Sequence, residues 1–172
     1  MPLGFFCKLC YCIGMRDKQE ASASHTLVPV SECALAKAIG TIGDTWSLLI
    51  LREVVCGVGR FDQIREDLGI TRSVLSVRLA RLVEEGLLEH YYYREPGQRS
   101  RKGYTLTEKG RALLPVLIAL REWGGSYLAQ GKSRLRLQLQ TKDGKRVRSQ
   151  LIQEDGTVVD DVSSLIATVQ AD

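Results

Sequence analysis

The sequence predicts a mainly helical domain with a small two-stranded β ribbon near its middle, an α+β fold, and three observations predict it. Apolar residues recur three or four apart through most of 31–128, the period of a helix that buries one face. Gly57, Gly69 and Gly86 close successive runs of this kind, as helix-terminating glycines do. Two stretches rich in Tyr, Leu and Thr flank Pro96-Gly97, as the arms of a hairpin flank its turn.

The elements follow in order. Ser31 is placed to cap a first helix running to about Ile42, with Leu35, Ala38, Ile39 and Ile42 on one stripe. Trp46, Leu49, Ile50 and Val54 mark a second helix, and Phe61, Ile64 and Leu68 a short third. Thr71 caps a fourth, in which Leu75, Leu79, Leu82 and Val83 form the inward stripe. Strands are expected over 87–94 and 101–106. Thr107 caps a final helix reaching about Trp123, loosened at Pro115 and interrupted by Gly124-Gly125.

Outside this core the pattern changes. Residues 1–30 keep no period and contain the run ASAS, so they are expected to form a mobile arm, with 31–128 as the folded domain and 129–172 as an extension. In the extension Leu135, Leu137 and Leu139 alternate with polar residues, and Asp143-Gly144 and Asp155-Gly156 punctuate two short runs, which predicts a small β meander. No internal repeat is expected. The meander is basic, and two roles stay open for it: extending a dimer or touching DNA.

Composition narrows the function classes. The formal charge of +4, from 24 Lys and Arg against 20 Asp and Glu, is too small to name a partner, so its distribution must decide. No apolar run approaches the roughly 18 residues that span a bilayer, and the opening MPLGFFCKLCYCIG lacks the basic start and cleavage site of a signal segment. A cytoplasmic protein with no membrane partner is expected. Cys7, Cys10, Cys12, Cys33 and Cys56 are an odd number without a scaffold pattern, which suits a reducing compartment. Three clustered thiols lack a nearby fourth ligand, so neither a metal nor a cofactor is expected. A Gly-rich phosphate loop, HExxH and G-x-S-x-G are all missing, and an enzyme is not expected.

The candidate functional surface lies on the fourth helix and the hairpin. With the leucine stripe turned inward, Ser73, Val77 and Ala80 project the other way, flanked by Arg72, Ser76 and Arg78. Two short helices around a glycine turn, followed by a hairpin, make a winged helix-turn-helix, whose second helix enters the major groove of duplex DNA. Candidate DNA-contacting residues on that helix are Thr71, Arg72, Ser73, Ser76, Val77 and Arg78. The hairpin tip adds Arg94, Arg99, Arg101 and Lys102, four cations against Glu95, suited to phosphates or a minor groove. Tyr91 and Tyr93 share one strand face and are expected to pack, not to stack on bases. Trp46 and Trp123 are expected as core or dimer anchors.

These residues also resemble a known family. The run CALAKAIGTIGDTW from Cys33 to Trp46, then LLILRE (48–53), Arg60-Phe61, Val74-Leu75-Ser76, Arg78-Leu79, Glu85-Gly86-Leu87 and YTLTEKG (104–110) are similar to the HxlR-type regulators, relatives of the MarR group. The resemblance covers about 31–128 and implies the winged fold, a homodimer and binding to an operator in duplex DNA, most often as a repressor. It maps the recognition helix to 71–85 and the wing to 87–106. Ser73 and Val77 depart from the Lys and Gln that family members often carry there, so Val77 is suited to a thymine methyl. Surplus apolar surface on the first and last helices also argues for a two-fold dimer.

The cysteine that begins the first helix, here Cys33, is a redox switch in some members. A small buried hydrophobe is the more usual fate of a free cysteine, and Cys56 beside Val54 and Val55 is expected as core. An oxidant or small molecule is thus a candidate effector. The rival reading is a winged helix serving as a protein–protein or RNA module without operator specificity.

Overall fold

The computed structural model describes residues 28–128 and 139–166. Two compact units divide the chain, one spanning 33–149 and the other containing the described residues 28–32 and 150–166.

The larger unit has the expected helical order. Helix α1 (Ala34–Ile42) is followed by α2 (Thr45–Val55), α3 (Phe61–Leu68) and α4 (Arg72–Glu84). Strands β1 (Leu88–Tyr93) and β2 (Arg101–Leu106) come next, then α5 (Glu108–Arg111) and α6 (Leu114–Tyr127). Their caps follow from local chemistry. Asp44 accepts the Ser47 N–H at the start of α2, and Thr71 accepts the Val74 N–H at the start of α4. Gly69 ends α3 in the left-handed region at φ +60°, which a side chain would resist. Its turn delivers Thr71 to the next N-cap, so glycine and threonine together set the angle between the two helices.

The core is built from the predicted stripe. Leu75, Leu79 and Leu82 of α4 are wholly buried against Ile50 and Leu51 of α2 and Ile64 of α3, with Leu87, Leu88 and Leu106 closing the base of the hairpin. Each such side chain contributes about 1.5–3 kcal/mol by leaving water. Strands β1 and β2 pair antiparallel from Leu88 opposite Leu106 to Tyr93 opposite Arg101, and a bridge from Arg60 to Gly103 adds one rung on the far side of β2. Residues 94–100 form the exposed tip.

Several expectations are corrected. The first helix is capped at Cys33, not Ser31, which lies in the preceding turn. Leu35 and Ile39 of the predicted stripe are exposed. Cys56 is exposed, because α2 ends at Val55 and the residue is the C-cap turning away from the core. The last helix is two helices: Ala112 and Leu113 separate α5 from α6, and Pro115 sits in the first turn of α6, where its missing N–H costs nothing. Gly124 and Gly125 lie inside α6, which continues to Tyr127.

Among the described residues the expected meander shows two tight turns, each closed by one β-bridge, Gln140 with Arg146 and Ile152 with Val158. They are a repeat that the sequence reading missed. Val147 N–H bonds to Leu139 O and Val159 N–H to Leu151 O, both at 2.9 Å, and Asp-Gly stands at the same place in each. The shared pattern L-x-x-x-D-G-x-x-V recurs twelve residues on. The glycines, at φ +83° and +89°, turn the chain. The first turn, in the larger unit, is tied to α6 by Ser149, whose N–H and hydroxyl both donate to Glu122. The expected arm over most of 1–30, the thiols Cys7, Cys10 and Cys12, and the alternation at Leu135 and Leu137 lie outside the described residues.

Candidate nucleic-acid interface

Helix α4 turns its leucines inward and leaves Thr71, Arg72, Ser73, Ser76 and Val77 exposed, as the period requires. Val77 is 64% exposed, an apolar side chain facing solvent on the outer face of α4. Arg94, Arg99, Arg101 and Lys102 are likewise exposed along the hairpin and its tip.

Arg78 differs from its neighbours. Its Nε lies 3.3 Å from Asp44 Oδ1, with 29% of the side chain exposed. Asp44 is the cap of α2, so a single carboxylate joins α2 to the flank of α4. Partial burial pushes the Asp44 carboxyl upward, yet the Ser47 hydroxyl and N–H, the Arg78 guanidinium and the Trp46 N–H outweigh it and hold the group below its ordinary value. Arg78 is therefore a packing and pairing residue, only partly exposed on the candidate surface. Arg81 extends the same flank by donating to the Gly40 carbonyl near the end of α1.

At the other end of α4 the geometry brings recognition helix and wing together. Asp62 of α3 lies 3.7 Å from Arg72 of α4, 3.8 Å from Arg101 of β2 and 4.0 Å from Arg65 of its own helix. The Arg72 guanidinium also lies over the Phe61 ring, 5.4 Å from its centroid. Arg60 anchors the wing: it pairs with Glu95 at 2.6 Å and lies 4.4 Å over the Tyr93 ring. Tyr91 packs across Gly103, where any Cβ would fall 2.4 Å from the ring. The tyrosines thus stiffen the hairpin, while Tyr92 points to solvent at 69% exposure.

Asp44, Arg60 and Asp62 were not legible as site residues. Their partners lie on other elements, and helical periodicity carries no signal for an ion pair between elements. Among the described residues no group of three or more metal-ligating side chains converges, and no single helix is long and apolar enough to cross a membrane.

Residues 41–132 match the HxlR-like helix-turn-helix family. The HTH-type transcriptional regulator Mb3122 of Mycobacterium bovis is 43% identical over 95 residues, or 55% of this chain. The match spans 59% of that relative, less than two thirds of its length. Among solved structures, PA1607, a candidate transcription factor, superposes with a TM-score of 0.67 and 34% identity, covering 80% of this chain and 95% of that one. The redox regulator HypR in its reduced form is similar at a TM-score of 0.50 and 26% identity, covering 58% and 96%. With this winged fold and a match over more than half its length, the chain belongs to the HxlR-like helix-turn-helix family of transcriptional regulators.

Proposed function

We propose that the protein binds an operator in duplex DNA as a homodimer and represses transcription in the cytoplasm, under the control of an oxidant or a small molecule. One observation carries the DNA reading. Arg72 at the start of α4 and Arg101 on the wing reach the same carboxylate, so the recognition helix and the cationic hairpin share one surface. A helix with exposed arginine and hydroxyl side chains beside a cationic hairpin supports a helix in the major groove with the wing on flanking phosphates.

The test begins with the duplexes that the purified protein retrieves from its own genome. Arg72→Ala is expected to weaken operator binding by about 1–3 kcal/mol with an unchanged melting temperature, since the side chain is exposed. Arg78→Ala is expected to lower both, because it also breaks the pair with Asp44. Neutralising Arg99, Arg101 and Lys102 should flatten the salt dependence of binding. Operator affinity unaffected in the Arg72, Arg78 double variant would overturn the assignment. Preference for RNA or a protein partner would favour the rival module.

The control reading rests on Cys33 and on likeness to a redox regulator. Cys33 is half-buried at the N-cap of α1, and α1 is tied to α4 through Gly40 and Arg81. A disulfide at Cys33 would therefore pull on the recognition helix. Although Cys56 is exposed, desolvation by its neighbours and then Glu53 push its thiol up, only partly offset by Arg52, which disfavours its thiolate. In a chain with Ser at positions 7, 10 and 12, diamide is expected to form a dimer-sized band on non-reducing gels and to change operator affinity, with or without Cys56→Ser, but to do neither once Cys33→Ser is added. The same response in Cys33→Ser would remove the switch and leave the DNA reading intact.

A further inference from the structure

Asp62 is an acidic side chain in the middle of a surface built to meet a polyanion. It is 57% exposed, and it stands within 4.0 Å of Arg65, Arg72 and Arg101. None of these distances is that of a close hydrogen-bonded pair, and exposed ion pairs of this kind add little to stability. The carboxylate must then be explained by what it does to the surface.

We propose that Asp62 is a specificity-determining residue: in free protein its carboxylate stands in for a DNA phosphate between recognition helix and wing, and so holds down binding to non-operator duplex. This inference rests on the DNA reading above. Loose, register-independent binding depends on guanidiniums free to find whichever phosphate is near. Asp62 competes for three of them at once, so a random duplex must displace it with nothing but phosphate contacts in return. An operator must displace it as well, so that cost is common to both duplexes and the discrimination comes from orientation. Asp62 further holds Arg72 and Arg101 near one orientation, so less side-chain freedom is lost when the correct site is bound. The phenyl ring of Phe61, its centroid 5.4 Å from the Arg72 guanidinium, gives the same side chain a second contact.

Asp67 provides the control. It is an exposed acid on the same helix, and no ion pair within 4.0 Å joins it to an arginine of the surface among the described residues. Asp62→Asn is expected to bind a random duplex about tenfold more tightly at roughly 50 mM salt, with the slope of log K against log salt steeper by about one. Its affinity for the retrieved operator should change less than about threefold, so the specificity ratio falls. Asp67→Asn should shift both affinities by no more than about twofold, and Asp62→Glu should restore the wild-type ratio. Circular dichroism melts accompany each variant. A wild-type ratio in Asp62→Asn, or the same fall in Asp67→Asn, overturns the role of Asp62 while the DNA reading stands. A wild-type protein that retrieves no duplex overturns both.

Discussion

A chain carrying Leu120→Asp and Trp123→Asp is expected to sediment as a monomer at micromolar concentration and to bind operator about a hundredfold or more weakly. The two side chains are 48% and 55% exposed on α6, beside Val116 at 46% and Tyr127 at 70%. Helix α1 adds Leu35 at 64% and Ile39 at 58%. Exposed apolar side chains on two helices in this number are what an interface between subunits would cover. In the proposed homodimer a two-fold partner would cover them and set two recognition helices one DNA turn apart, so that binding one half-site would raise the effective concentration at the other. The substitutions lie outside the core formed by Ile50, Leu75 and Leu79, and helix content is expected to persist. Sedimentation of wild type as a monomer, or operator affinity unchanged in a monomeric variant, would remove the dimer from the mechanism.

The helix-turn-helix and its wing were legible because their signals are local. Leucines three and four apart, Thr71 before a helix, Gly69 after one and Pro96-Gly97 between two strands each act within a few residues. What was missed acts at longer range or depends on competition between equivalent signals. Ser31 and Cys33 are both small residues near the start of an apolar stripe, and sequence alone favoured the better hydrogen-bonding cap. The structure begins the helix after Cys33 and leaves its side chain without a capping bond. Cys56 looks like core beside two valines, yet a helix rotates each residue by 100°, and the helix ends before it. The arginines of the candidate site were legible as charges. Their pairing with Asp44 and Asp62 was not, since that follows from how α2, α3 and α4 pack. The twelve-residue repeat was concealed because its shared positions are few and separated by dissimilar residues.

Gly110→Ala is expected to lower stability by at least about 2 kcal/mol, the opposite of what helix propensity alone would give. An alanine in place of a helical glycine ordinarily gains up to about 1 kcal/mol. Gly110, however, is buried in α5, and a Cβ there would lie 2.2 Å from the Leu87 carbonyl oxygen and 3.1 Å from Leu106 Cδ2. That carbonyl cannot readily retreat, because it accepts the Thr107 N–H at 3.1 Å. Thr107 in turn accepts the Gly110 N–H at 3.0 Å and donates its hydroxyl to Gly86 O at 2.6 Å. The end of the recognition helix, the base of the wing and the start of α5 meet at this point, so a displaced methyl would loosen all of them. Gly124→Ala in α6 supplies the contrast, since among the described residues its Cβ would meet nothing within 4 Å. There the propensity gain should survive as about 0.5–1 kcal/mol of added stability. Both are best measured by denaturant unfolding in the Leu120→Asp, Trp123→Asp background, where no second subunit can touch α6. Two substitutions of the same kind, changing stability in opposite directions, would show that contact with the Leu87 carbonyl and not glycine content governs this junction; equal signs would refute it.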